Sequence, residues 1–359
     1  MFDLPKVFAK GSPRELGRGQ GEAQRAAIQG FVAQRLSALS AYLAERREST
    51  RYAEFVTVGR ACLDAATAFD PDGVLEHHGV AEGANVDPAL LYATTNMTDV
   101  RDVLVLPSSP DREGCTSLLL PAEKTREHLI LAGQTWDLNP TDLDFVVAVN
   151  RRPSEGPETW SITCAGALSL VGMNADGVAV GTTNIKTRAS RVGVGYLTVL
   201  HRAIRSRTLA EALSVIRSAP RAAAHTYWAV DERSGSELEC DPETVQERPL
   251  GSLPIVQTNH CQAPELSRRE GEAASESSRK RLARAERSLA AGAHDVDSLR
   301  ALFADRSDGV DSINRYTEDE QGTTTNACVL CVPARREVWA CRGPSDRGEW
   351  QRLSFGVSA

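Results

Sequence analysis

The apolar residues of this chain change their period once. Up to about residue 105 they recur with helical spacing, and after Cys115 the pattern is that of strands. The change is made across Leu106-Pro107-Ser108-Ser109-Pro110, a linker by composition, and Arg112-Glu113-Gly114-Cys115-Thr116-Ser117. Two hydroxyl residues follow Cys115, and then Leu118-Leu119-Leu120, so the loop delivers a thiol to the first position of a buried strand. A helical N-terminal region, residues 1–114, therefore precedes a β-rich region, residues 115–359, with helices between its hairpins. That is an α+β order, and sheets packed on one another with helical layers outside satisfy it.

Ser12-Pro13-Arg14-Glu15 predicts a capped helix start, and the helix runs towards Arg47. Gly17, Gly19 and Gly21 weaken it by roughly 1 kcal/mol each relative to Ala, which points to tight helix packing or a frayed first turn. Further helices are expected over Glu54–Phe69, before Gly83, and from Asp87-Pro88 past Asn96 towards Val103. After Cys115, strands over Thr116–Leu120 and His128–Asp137 flank the polar turn Glu123–Glu127. The midpoint of Cys115 and Asp137 is Arg126, inside that turn, so both fall at the same end of the sheet. Strands over Leu168–Met173 and Val178–Asn184 flank Asn174-Ala175-Asp176-Gly177, a strong hairpin signal. Later hairpins are read around Ser234-Gly235 and Pro333-Ala334-Arg335, and a charged helix over Glu272–Ala290 with one solvated face.

With 41 basic against 48 acidic residues the net charge is −7, which argues against nucleic acid and against an anionic membrane as partners. No run approaches the length of a transmembrane helix, and the first residues show neither a basic nor an apolar signal region. Eight cysteines without a regular framework, in a chain of 359 residues, predict reduced thiols and a cytoplasmic protein. Cys328 and Cys331 have C-x2-C spacing, but in a strand they face opposite sides and no second pair exists, so neither a metal nor a cofactor is expected.

A cysteine in an apolar run is most often a core thiol. Here Gly114 removes side-chain obstruction beside Cys115 and tolerates a bent backbone, so the thiol can attack the carbonyl of the residue before it. If the chain breaks at Gly114–Cys115, Cys115 gains a free α-amino group. Such an amine has a pKa of about 7.7–8.0 and serves as a base near neutrality, whereas in the amide it cannot. Cleavage thus turns a zymogen into an enzyme whose terminal residue carries both nucleophile and base. Its thioester with a substrate acyl group then passes to water or to an amine.

Several blocks, in order, resemble the acyl-coenzyme A:6-aminopenicillanic acid acyltransferase family of N-terminal-nucleophile hydrolases, whose best-known member is isopenicillin N acyltransferase. They are Gly114-Cys115-Thr116-Ser117, Gly133-Gln134-Thr135-Trp136-Asp137, Gly172-Met173-Asn174-Ala175-Asp176-Gly177 and Thr258-Asn259-His260. Gly11–Gly17, Gly79–Asp87, Ser278-Arg279-Lys280-Arg281 and Cys341-Arg342-Gly343-Pro344 resemble further blocks, so the similarity covers roughly residues 11 to 345. The resemblance implies a four-layer αββα fold, cleavage before Cys115, and an α chain (1–114) and β chain (115–359) from one precursor. It also implies that Asn259 donates its side-chain amide to the oxyanion, and that Asp137 orients the new α-amine. The family usually has Asn where this chain has Thr135. No substrate is carried across, because pocket-lining residues lie outside the matched blocks. The expected partners are a small-molecule amide or acyl donor, acyl-thioesters included, and an amine acceptor.

Two other readings compete. One is an amidase that never cleaves itself, with Cys115 activated by His260 or His225. The other is a catalytically dead binding protein on the same fold. The bland reading of His225 is a satisfied core histidine, that of Asp137 a strand-end cap, and that of Asn259 a turn residue. Arg315 and Arg342 are candidates for holding a carboxylate or stabilising the precursor.

Overall fold

A computed structural model describes residues 1–105, 114–271, 273–319 and 322–356. The linker read at 106–110, and Arg112 and Glu113 of the motif, lie outside the described residues. The chain opens with a strand that the sequence pattern did not disclose, β1 (Lys6–Gly11), and continues as helices α1 (Pro13–Ala23), α2 (Arg25–Glu45), α3 (Phe55–Phe69), α4 (Pro71–Ala84), α5 (Pro88–Thr95) and α6 (Met97–Leu104). The helix expected to run to Arg47 is broken at Gln24, and the one expected through Asn96 is split there. Asp70-Pro71 ends α3 and at once starts α4. Proline cannot continue a helix but suits its first turn, where its missing N–H has no partner to lose.

The glycines of α1 are explained by α4. A Cβ on Gly17 would lie 1.8 Å from the Glu76 carbonyl oxygen, and one on Gly79 would lie 2.3 Å from that of Arg14. The two helices therefore pack backbone to backbone. Gly19 is different, since a Cβ there would meet only the Ala9 methyl at 3.8 Å.

The rest of the chain supplies β2 (Thr116–Leu120), β3 (Leu131–Leu138), β4 (Val146–Pro153), β5 (Thr159–Cys164), β6 (Val171–Asn174) and β7 (Ala179–Asn184). Then come α7 (Tyr196–Ile204), α8 (Leu209–Ser218), β8 (His225–Val230), β9 (Gly235–Cys240), β10 (Val245–Pro249) and β11 (Ile255–Gln257). The chain closes with α9 (Pro264–Ser267), α10 (Glu276–Ala290), α11 (Val296–Phe303), β12 (Thr324–Val332), β13 (Glu337–Arg342) and β14 (Gln351–Leu353). One sheet runs β1-β4-β5-β6-β7-β8-β9-β10 and the other β11-β2-β3-β12-β13-β14. The hairpin signal at Asn174 holds: Gly177 takes φ +89°, and the Asn174 side chain accepts the Val178 N–H at 3.0 Å.

Alternation along β2 shows the layering. Leu119 faces the core shared with the larger sheet, while Leu118 and Leu120 face a cluster built with Leu289 of α10 and Leu299 and Phe303 of α11. On the far side, α7 and α8 pack on β6, β7 and β8. The order is αββα, with both sheets covered on both faces. Burying four such layers removes nearly every apolar side chain of the strands from water, at roughly 25 cal/mol per Å². β12 shows the same division: Cys328 joins the outer cluster and Cys331 the inner one, as their spacing in a strand requires.

Candidate active site

β2 and β3 form the hairpin that carries the site, with Thr116 opposite Thr135 and Leu120 opposite Leu131. The turn midpoint placed Cys115 and Asp137 at the same end of the sheet without setting a register. Continued by one residue, the ladder puts Trp136 across from Cys115. Side-chain alternation sets a register, and the centre of a long irregular connection does not. Cys115 and Asp137 still share one end of the sheet, and the Cys115 Sγ lies 3.8 Å from the Asp137 carbonyl oxygen. On the other side of β3 the ladder with β12 shifts between Thr325 and Ala327, a bulge beside Asp137.

Asp137 is wholly buried, and neither oxygen of its carboxyl has a hydrogen-bond partner among the described residues. Arg315 Nε stands 3.7 Å from Oδ2. Burial raises the Asp137 carboxyl from 3.8 to about 6, against the pull of Arg315 and Arg281. Desolvation therefore outweighs two cations. Arg315 is tied down by donating to Thr323 Oγ1 at 2.6 Å and to Ser277 Oγ. Its guanidinium lies over Gly114, where a Cβ would come within 2.7 Å of it, so Gly114 is needed for room.

Asn259 follows β11 and donates Nδ2 to the Asn184 carbonyl at 3.0 Å. Its backbone N–H donates to Ser278 Oγ at 2.9 Å. Arg281 of α10 joins it to the thiol's own residue. Nη2 donates to Asn259 Oδ1 at 2.9 Å, and Nη1 donates to the Cys115 carbonyl and to Thr116 Oγ1. Burial, then Arg315, lowers the Arg281 guanidinium to about 9, which leaves it charged at neutral pH. Sequence reasoning assigned no role to Arg281, because a highly charged helix reads as solvated. The signal was present in the spacing: Ser278, Arg281, Ala285 and Leu289 are the buried residues of α10 and form one helical face.

A small pocket opens beside Cys115 and Asp137. Its apolar wall is Trp136, Leu138 and Leu170; Thr98, Tyr196 and His225 border it with polar groups. Thr98 comes from α6, so both the N-terminal region and the β-rich region contribute. His225, expected to be a satisfied core histidine, is satisfied at one nitrogen. Nε2 lies 2.6 Å from Asp99 Oδ1, while Nδ1 has no partner among the described residues. His260 does not border the cavity. Its Nδ1 sits 2.8 Å from Ser278 Oγ, and burial, then Arg281 and Arg279, lowers the ring. Arg342 ends β13 opposite Ala327, at the end of the sheet that carries Trp136, and packs towards the Phe2 ring, 6.0 Å away.

The other thiols are core groups. Burial raises Cys62 to about 11 and Cys240 and Cys331 to about 12, and it raises Cys164, Cys261 and Cys328 as well. Among the described residues no group of three His, Cys, Asp or Glu side chains could hold a metal ion, and no helix is long and apolar enough to cross a membrane.

Two sheets between helical layers, with a buried carboxyl and a thiol at the end of an inner hairpin, define an α+β chain of the αββα type. The pattern of the Acyl-coenzyme A:6-aminopenicillanic acid acyl-transferase family matches residues 123–347, more than half of the chain, and the chain belongs to that family. Membership places it among enzymes of acyltransferase kind. The match takes in Asp137, Asn259, Arg281 and Arg315 and begins after Cys115. No curated protein matches the sequence. Among solved structures, two variants of the conjugated bile acid hydrolase from Clostridium perfringens are similar at 10% identity with TM-score 0.49. They cover 68% of this chain, and 93% and 94% of their own. Penicillin V acylase from Agrobacterium tumefaciens is similar at 10% identity and TM-score 0.41, covering 67% of this chain and 86% of its own.

Proposed function

We propose that this protein is a self-processing hydrolase or acyltransferase acting on linear amides, with Cys115 as the nucleophile. The observation that carries the reading is the buried Asp137 carboxyl, with neither oxygen hydrogen-bonded, on the residue whose backbone carbonyl oxygen lies 3.8 Å from the Cys115 thiol. A buried carboxylate met by Arg315 only at 3.7 Å is under-compensated, and an ammonium formed at residue 115 adds the hydrogen-bonding cation it lacks. In processing, Cys115 Sγ adds to the Gly114 carbonyl carbon, the Gly114–Cys115 C–N bond breaks, and the thiol proton passes to the departing nitrogen. Water then hydrolyses the Gly114 thioester. Residues 1–114 and 115–359 become the α and β chains.

In turnover the freed α-amine takes the thiol proton as Sγ attacks the substrate carbonyl. Asp137 orients that amine. The second N–H of the Asn259 amide serves the oxyanion, since the first is donated to Asn184. The leaving amine departs with the proton, and the thioester goes to water or to an acceptor amine. Arg281 fixes the carbonyl of Cys115 and the Asn259 side chain in one geometry. The test is intact-mass analysis. Wild-type protein should give fragments 1–114 and 115–359, and Cys115→Ala a single inactive polypeptide. A Cys115→Ala protein that still splits overturns self-cleavage, and an active intact wild type favours the Cys115–His225 amidase.

A further inference from the structure

We infer that His225, held by Asp99, and Thr98 form a polar recognition pair for a hydroxyl carried by the substrate's acyl group. This rests on the proposed amide chemistry and adds a substrate class to it. Asp99 Oδ2 accepts the backbone N–H of Tyr196 at 2.8 Å, and Oδ1 faces His225 Nε2 at 2.6 Å. A carboxylate accepts, so a neutral imidazole here carries its proton on Nε2 and its Nδ1 presents a lone pair. The ring is further fixed by stacking on Tyr196, with centroids 4.5 Å apart. His225 is 2% exposed and borders the cavity, and Nδ1 has no hydrogen-bond partner among the described residues. Thr98 Oγ1, on the same cavity from α6, is also buried and unpartnered. Buried polar atoms are rarely left unpaired in folded proteins, and those bordering a site ask for a ligand.

The chemistry of the pair selects its ligand. A lone pair on Nδ1 needs a donor, and a threonine hydroxyl can donate or accept. A hydroxyl, which does both, can serve either atom, whereas a carboxylate cannot donate to Nδ1. Trp136, Leu138 and Leu170 accommodate an apolar body beside it. The substrate class is thus an amide whose acyl group is apolar and hydroxylated. A site built to hydrogen-bond a hydroxyl rejects the analogue without it, because its own groups are then left unpaired.

The test is calorimetric binding of phenylpropanamide and its alpha-hydroxy and beta-hydroxy analogues to the full-length protein, a measurement that needs no turnover. One hydroxylated amide should bind at least about tenfold tighter than the plain one. Thr98→Val and His225→Gln should each collapse that ratio towards one; the glutamine can still donate to Asp99, and Thr98→Val carries the test should His225→Gln misfold. Equal affinities in the wild type, a ratio unchanged in both variants, or no binding of any of the three amides would overturn the inference. Intact mass on the same preparation reports the proposed reaction separately. An uncut, inactive chain that still discriminates the amides sinks self-processing and keeps the recognition pair.

Discussion

Asp137 shows how little of a site lies in residue identity. Its carboxyl titrates near 3.8 when exposed and near 6 in the fold. Between those values the folded chain holds a proton that the unfolded chain has lost, so stability falls as pH rises from about 4 to about 6. The loss is on the order of 2–3 kcal/mol. In an uncut Cys115→Ala background, adding Asp137→Asn should therefore raise the melting temperature above pH 6 and leave it nearly unchanged near pH 4. Parallel curves across that range would contradict the buried, unpartnered state. If Asn259 is the proposed oxyanion donor, Asn259→Ala should lower kcat by about 10²–10³-fold in protein that has already processed. A rate near wild type would take Asn259 out of the site. Asp137 and Asn259 were legible as candidates through short motif blocks. The sequence could not show that burial beats two arginines at Asp137, because that balance depends on residues 281 and 315, which only the fold brings near.

At the scale of elements, α1 and α4 make a sharp comparison available inside one helix. Gly17→Ala pushes a methyl against the Glu76 carbonyl and should cost about 1–3 kcal/mol or more in denaturant unfolding. Gly19→Ala meets only ordinary contact and should stabilise by up to about 1 kcal/mol through helix propensity. If both behave alike, the close packing of the helices is wrong. The glycine cluster itself was legible; which members face a partner was not, since that depends on the crossing of two helices more than fifty residues apart. β1, β10 and β14 escaped the sequence pattern for a related reason. They are short edge strands whose pairing partners are supplied by the sheet. The Asn174–Gly177 hairpin was read correctly because its signal is local.

For the whole molecule, the N-terminal region is built into the β-rich region rather than laid against it. β1 pairs in parallel with β4, from Lys6 opposite Ala148 to Gly11 opposite Pro153. Arg151 of β4 donates to Glu76 of α4 and, at 3.0 Å, to Gln20 of α1, all three buried. Asp99 caps α7 through the Tyr196 N–H. If cleavage occurs, the two pieces should co-elute in native gel filtration and separate only under denaturing conditions. Two native peaks would show that these contacts do not hold the pieces together. Glu76→Ala strips Arg151 of its buried carboxylate and should destabilise the protein by about 3–5 kcal/mol.

Composition, period and turn chemistry determined the α+β order, the hairpins and a thiol at the head of an inner strand, because those are decided by residues a few positions apart. The meeting of Asp137, Asn259, Arg281 and Arg315 around that thiol was decided by tertiary structure, as were the register that places Trp136 across from it and the joint wall made by Thr98 and His225. These depend on how layers stack and on what the dry space between them does to charge, and neither is written in any one stretch of the chain.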